Sequence, residues 1–486
     1  MVPGLSHRAA RGILITVVFV VWGLITHGTH AGSGDELHYL MMARSIAFDR
    51  DFRLANDYGD PRNLVGAGTA KAEAHVRPGR DGVPRPVHDV GLPLLAGPFV
   101  RVMYPAAEWL SRRLPNEWMT RTKLNASLLL RHQVSLAMAI LAGLLAIEIA
   151  RALLVIGIAE RQAFWWALLL GLSPPFLSFS FLFFTELVAA LIVMVSLRRI
   201  LQPSSAAGSE WLFTGLLVGF LTLVHIRNAP LSLALAAIAV ASHHRRLRML
   251  IPFGVGVVIV ALVRTAVNWL FWGRLLFNDH ARLGAFTGFA DMFREIAFRA
   301  SGLFFDQEFG LLALAPIYLL AWPGLVRLWR RDPVIAAPVT ALVAAGIGSI
   351  VFPVLNPYGF VGGWSPAPRF IVPIVPLLAV AAAGMARGMR GLPAVFVAAL
   401  IAVQILISAI VWNDPKILWE DRNGISALTQ AVPQLTSMFA RLPTWHVSDA
   451  SAWPFVVAFV LWTILTGWLL AGVTPLRTKA SASPLG

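Results

Sequence analysis

The chain is built from long apolar runs divided by short polar turns. A bilayer-crossing helix needs about 20 mainly apolar residues. Runs of that length or somewhat less occur at 12–28, 127–150, 163–175, 186–200, 211–225, 228–242, 249–272, 310–326, 333–355, 369–386, 392–411 and 453–473. Those at 163–175 and 186–200 are short and flank Pro174-Pro175. A further apolar stretch, 90–104, is interrupted by Pro93 and Pro98, and it reads as a membrane-surface helix rather than a span. Within 34–48, Leu37, Leu40, Met41, Ala43, Ile46, Ala47 and Phe48 form one apolar face at helical spacing, against polar His38, Arg44 and Ser45. That pattern predicts a second amphipathic helix lying on the membrane surface.

The charges give the orientation, because Lys and Arg are retained in short cytoplasmic loops. With the N-terminus inside, the cytoplasmic turns hold Arg8, Arg11, Arg151, Arg161, Arg198, Arg199, Arg245, Arg246, Arg248, Arg327, Arg330, Arg331, Arg387, Arg390, Arg477 and Lys479. On that side the acidic residues are Glu148, Glu160, Glu210 and Asp332. The alternation predicts an all-α, polytopic helix bundle of about 12 spans with both termini cytoplasmic, a single transmembrane domain over 1–486. Its long external segments are 29–126, 273–309 and 412–452. The first run, with its basic start and the small-residue sequence Thr29-His30-Ala31, has parts of a signal peptide. An uncleaved first helix is the expectation for a polytopic chain.

Composition narrows the classes further. Charged residues make up 13% of the chain, against about 25% in soluble domains, which excludes an ordinary cytosolic enzyme. The net charge of +15 gathers on the cytoplasmic turns, so it does not imply a nucleic-acid partner. With no cysteine, disulfides, thiolate metal sites and a Cys nucleophile are all excluded.

The candidate chemistry lies on the external side. Asp35-Glu36 follows the first run directly and opens the predicted helix, where the dipole favours negative charge. Simple capping would explain such a pair, but its position at the lipid boundary favours function. Glu186 stands at the external mouth of the fourth run, Arg227 ends the fifth, Arg369 begins the tenth, and Arg264 lies inside the seventh. An ionisable residue within a span is expensive and is a site candidate by default. A glycine- and proline-rich segment, 76–86, reads as a surface hairpin or turn.

Asp35-Glu36 with Tyr39, Ala43 and the 49–52 stretch resembles the first external loop of the GT-C superfamily of membrane glycosyltransferases, which includes protein O-mannosyltransferases and aminoarabinose transferases. Gly91-Leu92-Pro93 is similar to the Gly-x-Pro run closing that loop in bacterial members. Pro174-Pro175 followed by Phe183-Phe184-Thr185-Glu186 resembles their second external loop, and the segments 302–311 and 362–370 resemble stretches of other bacterial members. The resemblance covers 12–386 and implies a GT-C-like fold. It also implies a sugar donor on a polyprenyl phosphate, transferred with inversion at the extracytoplasmic face of the inner membrane to a glycan, lipid or protein acceptor.

On this reading Asp35 matches the general base, Glu36 is its fallback, and Glu186 supports the base or holds an acceptor hydroxyl. Arg369, Arg227 and Arg264 are the donor-phosphate candidates, because a guanidinium fork matches phosphate geometry. Tyr39, His88, Asp306 and Trp364 are expected to line the substrate site. Asp306 with Glu308, or His88 with Asp89, offer ligands for a divalent metal, but no cofactor is expected. The competing readings are a transporter or lipid flippase, and a non-catalytic lipid-binding subunit of an envelope assembly complex. Transporters usually carry two matching halves, and none are visible here. Intact Asp35, Glu186 and Arg369 weigh against the subunit.

Overall fold

The computed structural model describes residues 7–26, 34–59, 75–115, 117, 126–204, 206–276, 288–352, 356, 359–363, 365–420, 422–444 and 453–472. Each of the twelve apolar runs contains helix among its described residues, as expected where backbone polar groups can only satisfy one another. Six helices are long and apolar enough to cross a bilayer: Ala9–Thr26, Leu129–Val155, Leu247–Trp272, Pro333–Val351, Gly391–Asn413 and Pro454–Ala471. They make the chain a predominantly helical, membrane-embedded protein. Many of their large apolar side chains face outward, among them Leu14, Leu262, Leu270 and Leu406, as a lipid-facing surface requires.

The other six runs contain α-helices of 11–17 residues. The run at 310–326 is the most broken. It divides into Leu311–Leu314, a 3-10 turn over Pro316–Leu320 and the helix Ala321–Arg331, because Pro316 lacks the N–H that would continue the ladder. Small residues let the helices close up. A Cβ on Gly215 would lie 2.0 Å from the Phe253 carbonyl oxygen, and one on Gly256 would lie 2.4 Å from that of Leu212. The helices Gly208–Val224 and Leu247–Trp272 therefore touch backbone to backbone, a small-residue packing common in membranes. Behind them lies Thr185–Leu201, which is buried along most of its length.

The segment between the first two long helices departs from expectation in one respect. The helix Glu36–Phe48 forms where predicted, but its polar side is buried within the protein rather than open to water. Its polar side satisfies itself within the protein. Arg44 pairs with Asp57, Ser45 Oγ donates to Asp51 at 3.1 Å, and His38 Nδ1 lies 2.5 Å from the Tyr58 hydroxyl. The apolar side packs on the helix Gly91–Ser111, which carries the 90–104 stretch and contains Pro98 and Pro105. Between them the predicted turn is a two-stranded antiparallel hairpin, Val76–Pro78 with Pro84–Pro86. Gly82, at φ +74°, supplies the left-handed residue that this turn needs. Arg80 N–H donates to the Phe271 carbonyl at 2.7 Å and docks the hairpin on the end of Leu247–Trp272.

Candidate functional site

Four remote segments meet in one buried ion network. Asp35 occupies the N-cap position of its helix, yet its side chain makes no capping hydrogen bond. Instead Arg369 Nη2 donates to Asp35 Oδ2 at 2.7 Å. The same guanidinium donates through Nε to Glu186 Oε1 at 2.7 Å. Arg227 Nη2 donates to that Glu186 oxygen at 3.0 Å. Arg369 and Glu186 are almost fully buried, whereas the Asp35 side chain keeps 25% of its surface exposed. Asp35 is thus the member that a ligand can reach.

The local structure explains the placement. Glu186 lies in the first turn of Thr185–Leu201 and accepts a further bond from Thr185 Oγ1 at 3.2 Å. Arg227 sits in a 3-10 turn, Ile226–Asn228, that links two apolar helices and frees its side chain to point inward. Arg369 precedes the turn Val372–Ile374. Aromatic faces flank both guanidinium groups, with Phe370 at 3.7 Å from Arg227 and Phe184 at 4.6 Å from Arg369. These planar contacts hold the forks in a fixed orientation.

Burial alone would raise the Asp35 carboxyl. The Arg369 guanidinium outweighs that effect, with help from His88 and His75, and holds the group well below the usual carboxylate range. Tyr39, one turn further along, is pushed up by burial and by the Asp35 charge, so its hydroxyl remains protonated.

Glu36 is used differently from its neighbour. Its Oε1 accepts the Phe183 N–H at 3.0 Å and its Oε2 accepts Arg131 Nη2 at 3.2 Å. It straps the loop to the segment before Glu186 and is fully buried.

Arg264 belongs to an adjoining cluster. Its Nη1 donates to Asp89 Oδ1 at 2.8 Å and also to the Thr222 carbonyl. Asp89 Oδ2 in turn accepts the Ile226 N–H at 2.8 Å. The two clusters therefore flank one short turn, Asp89 holding its backbone and Arg227 reaching through it to Glu186. A small cleft of about 40 Å³ opens beside Asp89, His88, His225, Arg264 and Asn268. Arg264 Nε is buried there without a hydrogen bond to any described residue.

The remaining sequence candidates divide. Tyr39 is buried beside the network, and His88 is half-buried. Asp306 accepts the N–H groups of Glu308 and Phe309 at 2.9 and 2.8 Å, and Glu308 accepts those of Asn423 and Gly424 at 3.1 and 2.9 Å. These two carboxylates tie down backbone and are not brought into the Asp35 network by those bonds. Trp364 lies outside the described residues. Sequence reasoning passed over Arg131, His38 and His75. A charge opposite Glu36 was foreseeable in kind but not in place, whereas His38 carries a signal, since it follows Asp35 by one helical turn.

Compared with known proteins, the chain matches no family model, no curated protein and no solved structure.

Proposed function

We propose that the protein is a GT-C-type glycosyltransferase. It moves a sugar from a polyprenyl-phosphate donor to a glycan, lipid or protein acceptor at the extracytoplasmic face of the inner membrane. The observation that carries this reading is the network in which Arg369 bridges a partly exposed carboxylate, Asp35, and a buried one, Glu186. A lipid-borne donor accounts for a site embedded among apolar helices, because that reactant never leaves the bilayer.

The chemistry follows from the charges. The acceptor hydroxyl gives its proton to Asp35 as its oxygen attacks the anomeric carbon. The bond from that carbon to the phosphate oxygen breaks with its electron pair on the phosphate, and the configuration inverts. Negative charge grows on the leaving phosphate, where Arg369 and Arg227 meet it. While Arg369 is paired with it, Asp35 is a weak base, because the guanidinium stabilises its anion. A donor phosphate that takes over Arg369 removes that stabilisation and raises the proton affinity of Asp35 as both substrates assemble.

The test is a transfer assay with labelled polyprenyl-phosphate sugars on the purified full chain. Asp35→Asn is expected to lower turnover by roughly 10²–10⁴-fold, the usual contribution of a positioned base, with the fold retained. Near-normal turnover in that variant sinks the assignment.

A further inference from the structure

Next to the ion network stand three histidines that the transfer chemistry does not use. His38 lies on the first external helix, while His75 and His88 flank the hairpin, one on each strand side. One ring nitrogen from each comes within 4.8 Å of the other two. His75 Nδ1 and His88 Nε2 are 2.8 Å apart, and the His38 and His75 rings stack with centroids 3.5 Å apart. His38 is 4% exposed and the other two are half-buried. Three imidazoles thus bring ring nitrogens within reach of one another at a partly buried position.

We propose that His38, His75 and His88 bind one divalent transition-metal ion of the zinc type. Imidazole suits zinc, copper, nickel and iron, while calcium and magnesium take oxygen ligands. A tetrahedral ion with nitrogens at about 2.0–2.1 Å places its ligands about 3.3 Å from one another. Stacked rings aim their lone pairs along parallel planes, so binding must turn the His38 and His75 rings out of their stack as well as open the closest pair and close the widest, movements of the side-chain torsions. Metal-bound histidines usually have the second ring nitrogen held by a hydrogen bond. Tyr58 fills that role for His38, its hydroxyl lying 2.5 Å from Nδ1, which leaves Nε2 for the ion. With Nδ1–H donated to the phenol oxygen, the lone pair on Nε2 is available.

Three protein ligands leave a fourth position for water or a substrate oxygen, the arrangement of zinc sites that remain open. The site would fasten the hairpin to the helix that begins at Asp35. It would also set a dipositive charge near that carboxylate, whose charge His88 and His75 already influence. This inference goes beyond the transferase reading and holds whatever group the protein transfers.

The experiment uses the tag-free full chain in detergent, stripped with a chelator and then given Zn²⁺ or Co²⁺ alone. After desalting, about one ion per chain is expected by elemental analysis, and bound Co²⁺ should show the intense visible bands of four-coordination. His75→Ala and His88→Ala should each weaken retention by at least ~10–100-fold, while remaining monodisperse and helical. Failure of the wild-type chain to retain either ion overturns the proposal. So does equal retention in the histidine variants, or a six-coordinate Co²⁺ spectrum in the wild type. The cobalt spectrum of the unmodified chain decides the matter even if a variant does not fold. None of these readouts depends on sugar transfer, so loss of the metal site and loss of the transferase reading are separable.

Discussion

Arg227 and Arg369 donate to the same oxygen of Glu186, at 3.0 and 2.7 Å. Two buried cations therefore share one carboxylate, and Asp35 supplies the second negative charge from the edge of the site. Removing one partner from a buried ion pair leaves an uncompensated charge and costs about 3–5 kcal/mol. Glu186→Gln is accordingly expected to lower the unfolding temperature in detergent as well as turnover. An unfolding temperature equal to wild type would show that the arginines do not depend on this carboxylate.

Asp35 and Glu36 are adjacent in sequence and opposite in consequence. Asp35 is partly exposed and bonded to Arg369, whereas Glu36 is fully buried between the Phe183 N–H and Arg131. Glu36→Ala should destabilise the chain by about 3–5 kcal/mol, since it removes one partner of a buried ion pair with Arg131. Whatever folded protein it yields should keep most of its specific activity. Asp35→Asn should show the reverse emphasis, a smaller loss of stability, from the broken pair with Arg369 at a partly exposed carboxylate, with turnover nearly abolished. Measuring both properties on both variants checks the division of labour; matching profiles for the two would refute it.

Much of this arrangement was legible in the chain, and the reasons are physical. Apolar runs locate helices because the backbone in lipid has no other way to satisfy itself, and each of the twelve runs contains helix among its described residues. Their lengths were less legible. Pro316 divides one run, and short helices such as Glu160–Gly171 end before a full crossing. Asp35, Glu186, Arg227 and Arg369 could be named in advance because charge beside an apolar run is expensive and stands out. Arg264 stood out for the same reason, but its partner did not, since pairing with Asp89 depends on the hairpin and on the 226–228 turn. The amphipathic pattern of Glu36–Phe48 misled in a specific way. Polar residues on a helix face indicate water or a polar partner equally well, and here Asp57, Tyr58 and Arg131 are the partners.

Gly91 opens the helix that follows Asp89, and it does so against backbone. A Cβ there would lie 2.5 Å from both the carbonyl carbon and oxygen of Leu223 and 2.6 Å from Val224 N. Backbone atoms cannot rotate aside, so Gly91→Ala must push the helix start away from the 223–226 segment. The bond from Ile226 N–H to Asp89 Oδ2, at 2.8 Å, is the first to lengthen. Overpacking of this kind costs about 1–3 kcal/mol. A lower unfolding temperature is expected, with a rise in donor KM as Arg227 shifts with its turn. If the variant unfolds and binds donor as wild type does, the contact is looser than it stands here.

The Asp35–Arg369 pair also sets a pH dependence with a definite sign. Burial pushes the Asp35 carboxyl up, Arg369 with His88 and His75 pulls it further down, and the net position is well below the usual carboxylate range. A folded-state pKa depressed in this way adds stability above the unfolded value of about 3.9, and that stability is lost as acid protonates the group. The profile of kcat/KM reports the free enzyme. Asp35 should therefore contribute no loss of kcat/KM on acidification from neutrality to about pH 4. At saturating donor the phosphate competes for Arg369, the carboxylate regains proton affinity, and the acid limb of kcat should move upward relative to that of kcat/KM. Profiles at low and saturating donor, repeated in His88→Ala to remove the imidazole contribution, separate the two. An acid limb at the same pH in both profiles would mean that the arginine does not change partners when the donor binds.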